Sequence, residues 1–190
     1  MYELWRQLRH LLFLSSSLLV VVPGLAADTA QEFRIATEGY HYAFPRDHGT
    51  HEEFRTEWWY YTGQLTTKSG RPFGYQLTFF RRGMPRHQVR TLPSQWAVTQ
   101  LYLAHFAVSD LSKGRFHYAE KISRAGLGKA GAERERLHVW IDQWSAESSS
   151  TAPGTQTLHA ADGDLALQLT VSPEKPLVVH GTDGISRKGS

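Results

Sequence analysis

The chain reads as an all-β protein, an antiparallel β-barrel or sandwich, on three observations. Short segments rich in aromatic and β-branched residues recur from Glu57 onward. Clusters of Gly, Pro, Asp and Ser separate them. No segment carries the convincing 3.6-residue apolar spacing of an amphipathic helix.

The elements follow in chain order. "MYELWRQLRH" carries Arg6 and Arg9, "LLFLSSSLLVVV" is an apolar run, and "PGLAAD" ends in small residues. This is the order of a secretory signal peptide over residues 1–26, with a cut after Ala26 or Ala27. The run is shorter than the roughly 20 apolar residues of a membrane span, and serines interrupt it; an uncleaved anchor is the alternative. Cleavage predicts a secreted or periplasmic protein with no stable membrane span. Residues 27–55 are polar and turn-rich and read as an extended lead-in, and 56–190 as the β domain.

Within that domain "EWWYYTGQLTT" and "RPFGYQLTFFRR" read as strands joined by a turn at "KSG". Alternation sets Phe73, Tyr75, Leu77 and Phe79 on one face, with Gly74, Gln76 and Thr78 on the other. "WAVTQLYLAHFAVSD" is a longer run, followed by "RFHYAEKIS". "RLHVWIDQWSAE" would set Trp140, Asp142 and Trp144 on one face. "QTLHA", "LALQLTVS" and "PLVVH" complete about eight strands by this reading. "SRAGLGKAGAERE" reads as a flexible loop with at most one helical turn, because its glycines oppose a regular helix.

Composition removes several function classes. The 190 residues suit one domain. With no cysteine, packing alone must hold an exported fold, and thiolate metal sites and cysteine nucleophiles are excluded. The formal charge is +3, of which Arg6 and Arg9 against Glu3 contribute one, and the basic residues form no stripe. Nucleic-acid binding therefore has no support. No G-x-S-x-G elbow, P-loop or dinucleotide fingerprint occurs; "GLGKAG" has neither the preceding strand nor the following helix that phosphate binding needs.

"FPRDHGTHEEFRTEWWYYTGQL", "GRPFGYQLTFFR", "YLAHFAVSD", "FHYAEKISR", "VWIDQWS" and "LVVHGTDGISRKG" come in an order that resembles the AttH-like family of exported, lipocalin-like proteins. That family also includes the carotenoid 1,2-hydratases. The resemblance covers roughly residues 40 to 190 and rests above all on the Glu-Trp-Trp-Tyr core. It implies a lipocalin-like antiparallel β-barrel or sandwich, the first of two similar halves, with a site for an apolar small molecule of lipid or isoprenoid type. The missing second half and an ABC-type export system are the implied partners. The implied activities are a cofactor-free hydratase or hydrolase on that molecule, or a non-enzymatic periplasmic carrier or chaperone. The end at Ser190, soon after "SRKG", reads as truncation before a second half, so that this fragment could be inactive.

The candidate site residues centre on "EWWYY". Trp58 and Tyr60 share one face of the strand, Trp59 and Tyr61 the other. One pair can line a cavity, and the other then needs cover from a neighbouring half or from the lead-in; core filling is the plain alternative. Tyr75 and Phe79 of the next strand join these four as candidate ligand-binding residues. Glu57, beside the rings, is the first candidate catalytic residue: desolvation would raise its pKa and let it donate a proton. Arg55, Arg81 and Arg82 are the competing salt-bridge partners. His105, in an apolar run with Leu101, Leu103 and Ala107, reads as buried and is the second candidate acid-base group. His48 and His51 stand three apart in a loop, the wrong spacing for a helical zinc pair, so neither a metal nor any other cofactor is expected.

Overall fold

The computed structural model describes residues 32–85 and 98–186. The expected signal peptide lies outside the described residues. A 3-10 turn, Arg46–His48, precedes nine strands: β1 Thr56–Thr66, β2 Pro72–Gly83, β3 Gln100–Asp110, β4 Arg115–Arg124, β5 Ala130–Ala132, β6 His138–Ile141, β7 Trp144–Ser148, β8 Gln156–Asp162 and β9 Leu165–Val171. They form two antiparallel sheets, β1-β2-β3-β4 and β5-β6-β7-β8-β9, in which each strand pairs with its neighbour in sequence. The result is a lipocalin-like sandwich rather than a closed barrel, since no pairing joins the two sheets among the described residues.

Alternation decides what lies between the sheets. Glu57, Trp59, Tyr61 and Leu65 of β1 point inward, opposite Arg81, Phe79, Leu77 and Phe73 of β2. Leu77, Phe79, Ala104 and Phe106 meet Val139, Trp144, Ala146 and Leu158 of the second sheet in one buried cluster. The Phe106 and Trp144 rings meet edge to face at 5.7 Å, and the Trp144 indole N–H donates to the Ala161 carbonyl at 2.8 Å. That bond satisfies the one polar group of the largest buried ring. Side chains thus fill the inter-sheet space. At its margin the Tyr61 hydroxyl donates to Gln156 Oε1 on β8, and burial pushes the Tyr61 phenol pKa up.

Four sequence expectations need correction. "RLHVWIDQWSAE" is a hairpin, turning at Asp142 in the left-handed region (φ 51), which short polar residues tolerate. Trp144 therefore sits in the core while Trp140 faces outward. "SRAGLGKAGAERE" carries no helical turn but delivers β5, after a bend with Gly126, Leu127 and Gly128 at positive φ. "PLVVH" forms no strand; Leu177, Val178 and Val179 are exposed, because an apolar run becomes a strand only where a neighbouring backbone pairs with it. His105 lies on the outer face of β3, partly exposed, since the odd positions of that strand point away from the core that Tyr102, Ala104 and Phe106 enter.

Candidate functional site

The lead-in closes one end of the sandwich, and Glu57 anchors it. Thr50 is buried, and its backbone N–H donates to the Glu133 carbonyl at 2.8 Å in the β5–β6 connection. Gly49 lies so close to that connection that a Cβ there would stand 2.3 Å from the Arg134 carbonyl oxygen. Arg134 also pairs with Glu52. From the first sheet, the Glu57 carboxylate accepts from Thr50 Oγ1 at 2.9 Å, from the His51 backbone N–H at 3.0 Å, from His51 Nδ1 at 2.7 Å and from Arg81 Nε at 3.2 Å.

Arg81 is the buttress behind this arrangement. Its side chain is 0% exposed, and its guanidinium donates to the His51 and Phe54 carbonyls at 2.9 and 2.6 Å and to Gln100 Oε1 at 3.3 Å. Of the three arginines near Glu57, Arg81 pairs with it because it is the direct cross-strand partner on the inner face.

This geometry reverses the expectation for Glu57. Burial does push its pKa up, but hydrogen bonds from the His51 ring and backbone and from Thr50, together with the Arg81 charge, outweigh burial and hold it below the ordinary range. Conversely, the Glu57 hydrogen bond raises the His51 pKa against the opposing effect of burial, and Asp47 adds to it at 3.5 Å from Nε2. Asp47 itself is held at about 2: burial pushes it up, but Arg46, the Ala43 N–H and Tyr40 overcome that. The result is a Glu57 held in its ionised form that favours proton retention on His51, and such a carboxylate is a poor proton donor.

Beside the clamp opens a cleft of about 420 Å³, within the size range of small-molecule sites. Ile35, Tyr40, Tyr42, Phe54, Trp58 and Ile185 give it apolar walls, and the charged or titratable Arg34, Glu38, His51 and Glu57 line it as well. The Tyr40 and Tyr42 rings meet edge on at 5.0 Å. The C-terminal segment closes against them at Gly184, where φ is 84 and a Cβ would stand 2.0 Å from the Tyr42 hydroxyl, so only glycine fits.

The sequence-predicted residues divide three ways. Glu57 and Trp58 reach this cleft. Trp59, Tyr61, Tyr75 and Phe79 belong to the core or its margin, with the Trp59 indole donating to the His48 carbonyl at 3.0 Å. Tyr60 and His105 stand on the outer face of the first sheet, where the His105 ring lies 5.4 Å from Phe80 and 5.7 Å from Tyr118. Sequence reasoning missed the cleft walls from the lead-in and from Ile185. The alternating rings of "GYHYAF" were the only local signal for them.

Comparisons with known proteins bear on the whole arrangement. No curated protein matches the chain. A crystal structure of a protein from Nitrosomonas europaea, provisionally described as an AttH, is similar at 35% identity with a TM-score of 0.71. The match covers 83% of this chain and 46% of that one, so the chain spans less than half the length of this relative. The AttH-like family model matches residues 35–190, which takes in most of the lead-in, both sheets and the apolar walls of the cleft, and the chain belongs to the AttH-like family.

Proposed function

We propose that this domain is exported and binds an apolar small molecule of lipid or isoprenoid type as a carrier. The observation that carries this reading is the ring-walled cleft whose acid is already engaged. Glu57 spends its lone pairs on Thr50, His51 and Arg81, so hydration of a double bond, which begins with proton donation, finds no donor in that carboxylate. The apolar walls of Tyr40, Tyr42, Phe54 and Trp58 instead suit a ligand held by burial. In longer proteins of this kind a second lipocalin-like half would stand beside this one, and an ABC-type export system would supply or receive the ligand.

The test is native mass spectrometry of the exported protein purified without detergent, followed by solvent extraction. A one-to-one adduct that extracts as an apolar compound is the expected result. A protein that carries no adduct and takes up no isoprenoid alcohol when offered one would overturn the proposal.

A further inference from the structure

The two outer faces of the sandwich are built differently. The outer face of the five-stranded sheet carries Ser145, Glu147, Thr157, His159, Gln168 and Thr170, as expected of a face that meets water. The outer face of the four-stranded sheet does not follow this rule. One cross-strand row runs Trp58, Phe80, Leu103, Ile122 without a polar residue, and Tyr60, Tyr118 and Phe116 add one ring each to the next three rows. Trp58 is 62% exposed, Phe116 69% and Ile122 71%.

Relief on this face is as uneven as its chemistry. The row from Trp58 to Ile122 is a ridge. Two to three rows further along the same strands, Gly74, Ala107 and Ser109 leave a hollow of about 480 Å³, bounded by Thr62, Gln64 and Phe116. At roughly 3.3 Å per residue, ridge and hollow lie some 13 to 20 Å apart. A two-fold axis lying in the plane of the face, across the strands and midway between them, would set the ridge of one molecule into the hollow of the other, and the reverse.

We propose that a second copy of this chain covers the face in such an isologous dimer. The area is sufficient. A large aromatic side chain buries about 150 to 250 Å², so Trp58, Tyr60, Phe116, Tyr118 and Ile122, each between 49% and 71% exposed, leave roughly 500 Å² to remove from water. The polar residues between them bring the face toward the roughly 800 Å² per partner of a standard interface. His105 and Glu120, 4.0 Å apart, are the polar pair nearest the axis, and Arg82 and Arg124 lie at the rim.

Sedimentation equilibrium of the exported chain tests this, with two variants on opposite parts of the face. Ile122→Lys puts a charge on the ridge, and Gln64→Trp fills the hollow; both positions are exposed, so the fold should survive, as circular dichroism will verify. A dimer at micromolar concentration that each variant weakens at least tenfold is the expected result. A monomer overturns the proposal, as does a dimer indifferent to both variants. A monomer that binds lipid vesicles through this face would give the face to a membrane and equally overturn it. Trp58 belongs to both the face and the ring-walled cleft, but neither substituted position lines the cleft, so each variant reads dimerisation without altering the cleft's own residues.

Discussion

Glu57→Gln is the most informative single change, because it removes one negative charge and almost no volume. The carboxylate is 15% exposed and Arg81 0%. In the variant the buried guanidinium keeps its bonds to the His51 and Phe54 carbonyls but loses its counter-ion. Glutamine also turns an NH2 toward a site where every neighbour is a donor: Thr50 Oγ1, the His51 N–H, His51 Nδ1–H and Arg81 Nε–H. Breaking a buried pair by removing one partner costs about 3 to 5 kcal/mol. The partial access of water to Glu57 reduces the expectation to about 2 to 4 kcal/mol. With a urea dependence of about 2 kcal/mol per molar, the unfolding midpoint should fall by about 1 to 2 M. Tryptophan fluorescence follows the transition, and limited proteolysis should show the lead-in cut near His51 before the sheets unfold. A midpoint within about 0.2 M of wild type would refute the reasoning, since Arg81 would then have enough compensation from carbonyls alone.

Three further outcomes follow. The folded pKa of Glu57 is lowered, so its contribution is present above the ordinary value of 4.5 and is lost as pH falls through the folded value. That of His51 is raised, so its contribution is full below the ordinary 6.5 and fades as pH rises through the folded value. The clamp is therefore strongest between about pH 4.5 and 6.5, and His51→Gln should flatten the stability profile above that window. Gly49→Ala should cost about 1 to 3 kcal/mol by driving a methyl into the Arg134 backbone, seen as a lower melting temperature and faster cleavage of the lead-in. Trp144→Ala empties the centre of the core and should cost about 3 to 5 kcal/mol in the same urea assay.

Local pattern made the first sheet legible. The alternation of "EWWYYTGQL" separates Trp59 and Tyr61 from Trp58 and Tyr60 because a period of two needs no long-range information, but which pair points inward is set only by the pairing and packing of the folded sheet. The same rule misled at His105. Its apolar neighbours Leu101 and Leu103 suggested burial, yet they belong to the unusually apolar outer face. The second sheet was less legible, because the hairpin at Asp142 rests on one left-handed residue and not on Gly or Pro. The chemistry of Glu57 was least legible. Its donors come from six and seven residues upstream and 24 residues downstream, and only the folded lead-in brings them together. The cleft likewise joins Tyr40 and Tyr42 to Ile185, at opposite ends of the described chain.

The central claim is that the lead-in and β1 line a largely apolar seat beside an ionised clamp, and direct titration of that seat is its sharpest test. Quenching of tryptophan fluorescence by a polyene fatty acid, measured in the wild type and in Tyr42→Ser and Phe54→Ser, reports occupancy next to Trp58. The account predicts saturable one-to-one quenching in the wild type, at least tenfold weaker in either variant and unchanged in Ile122→Lys. Equal affinity in all four proteins, or no saturable quenching in the wild type, would contradict it.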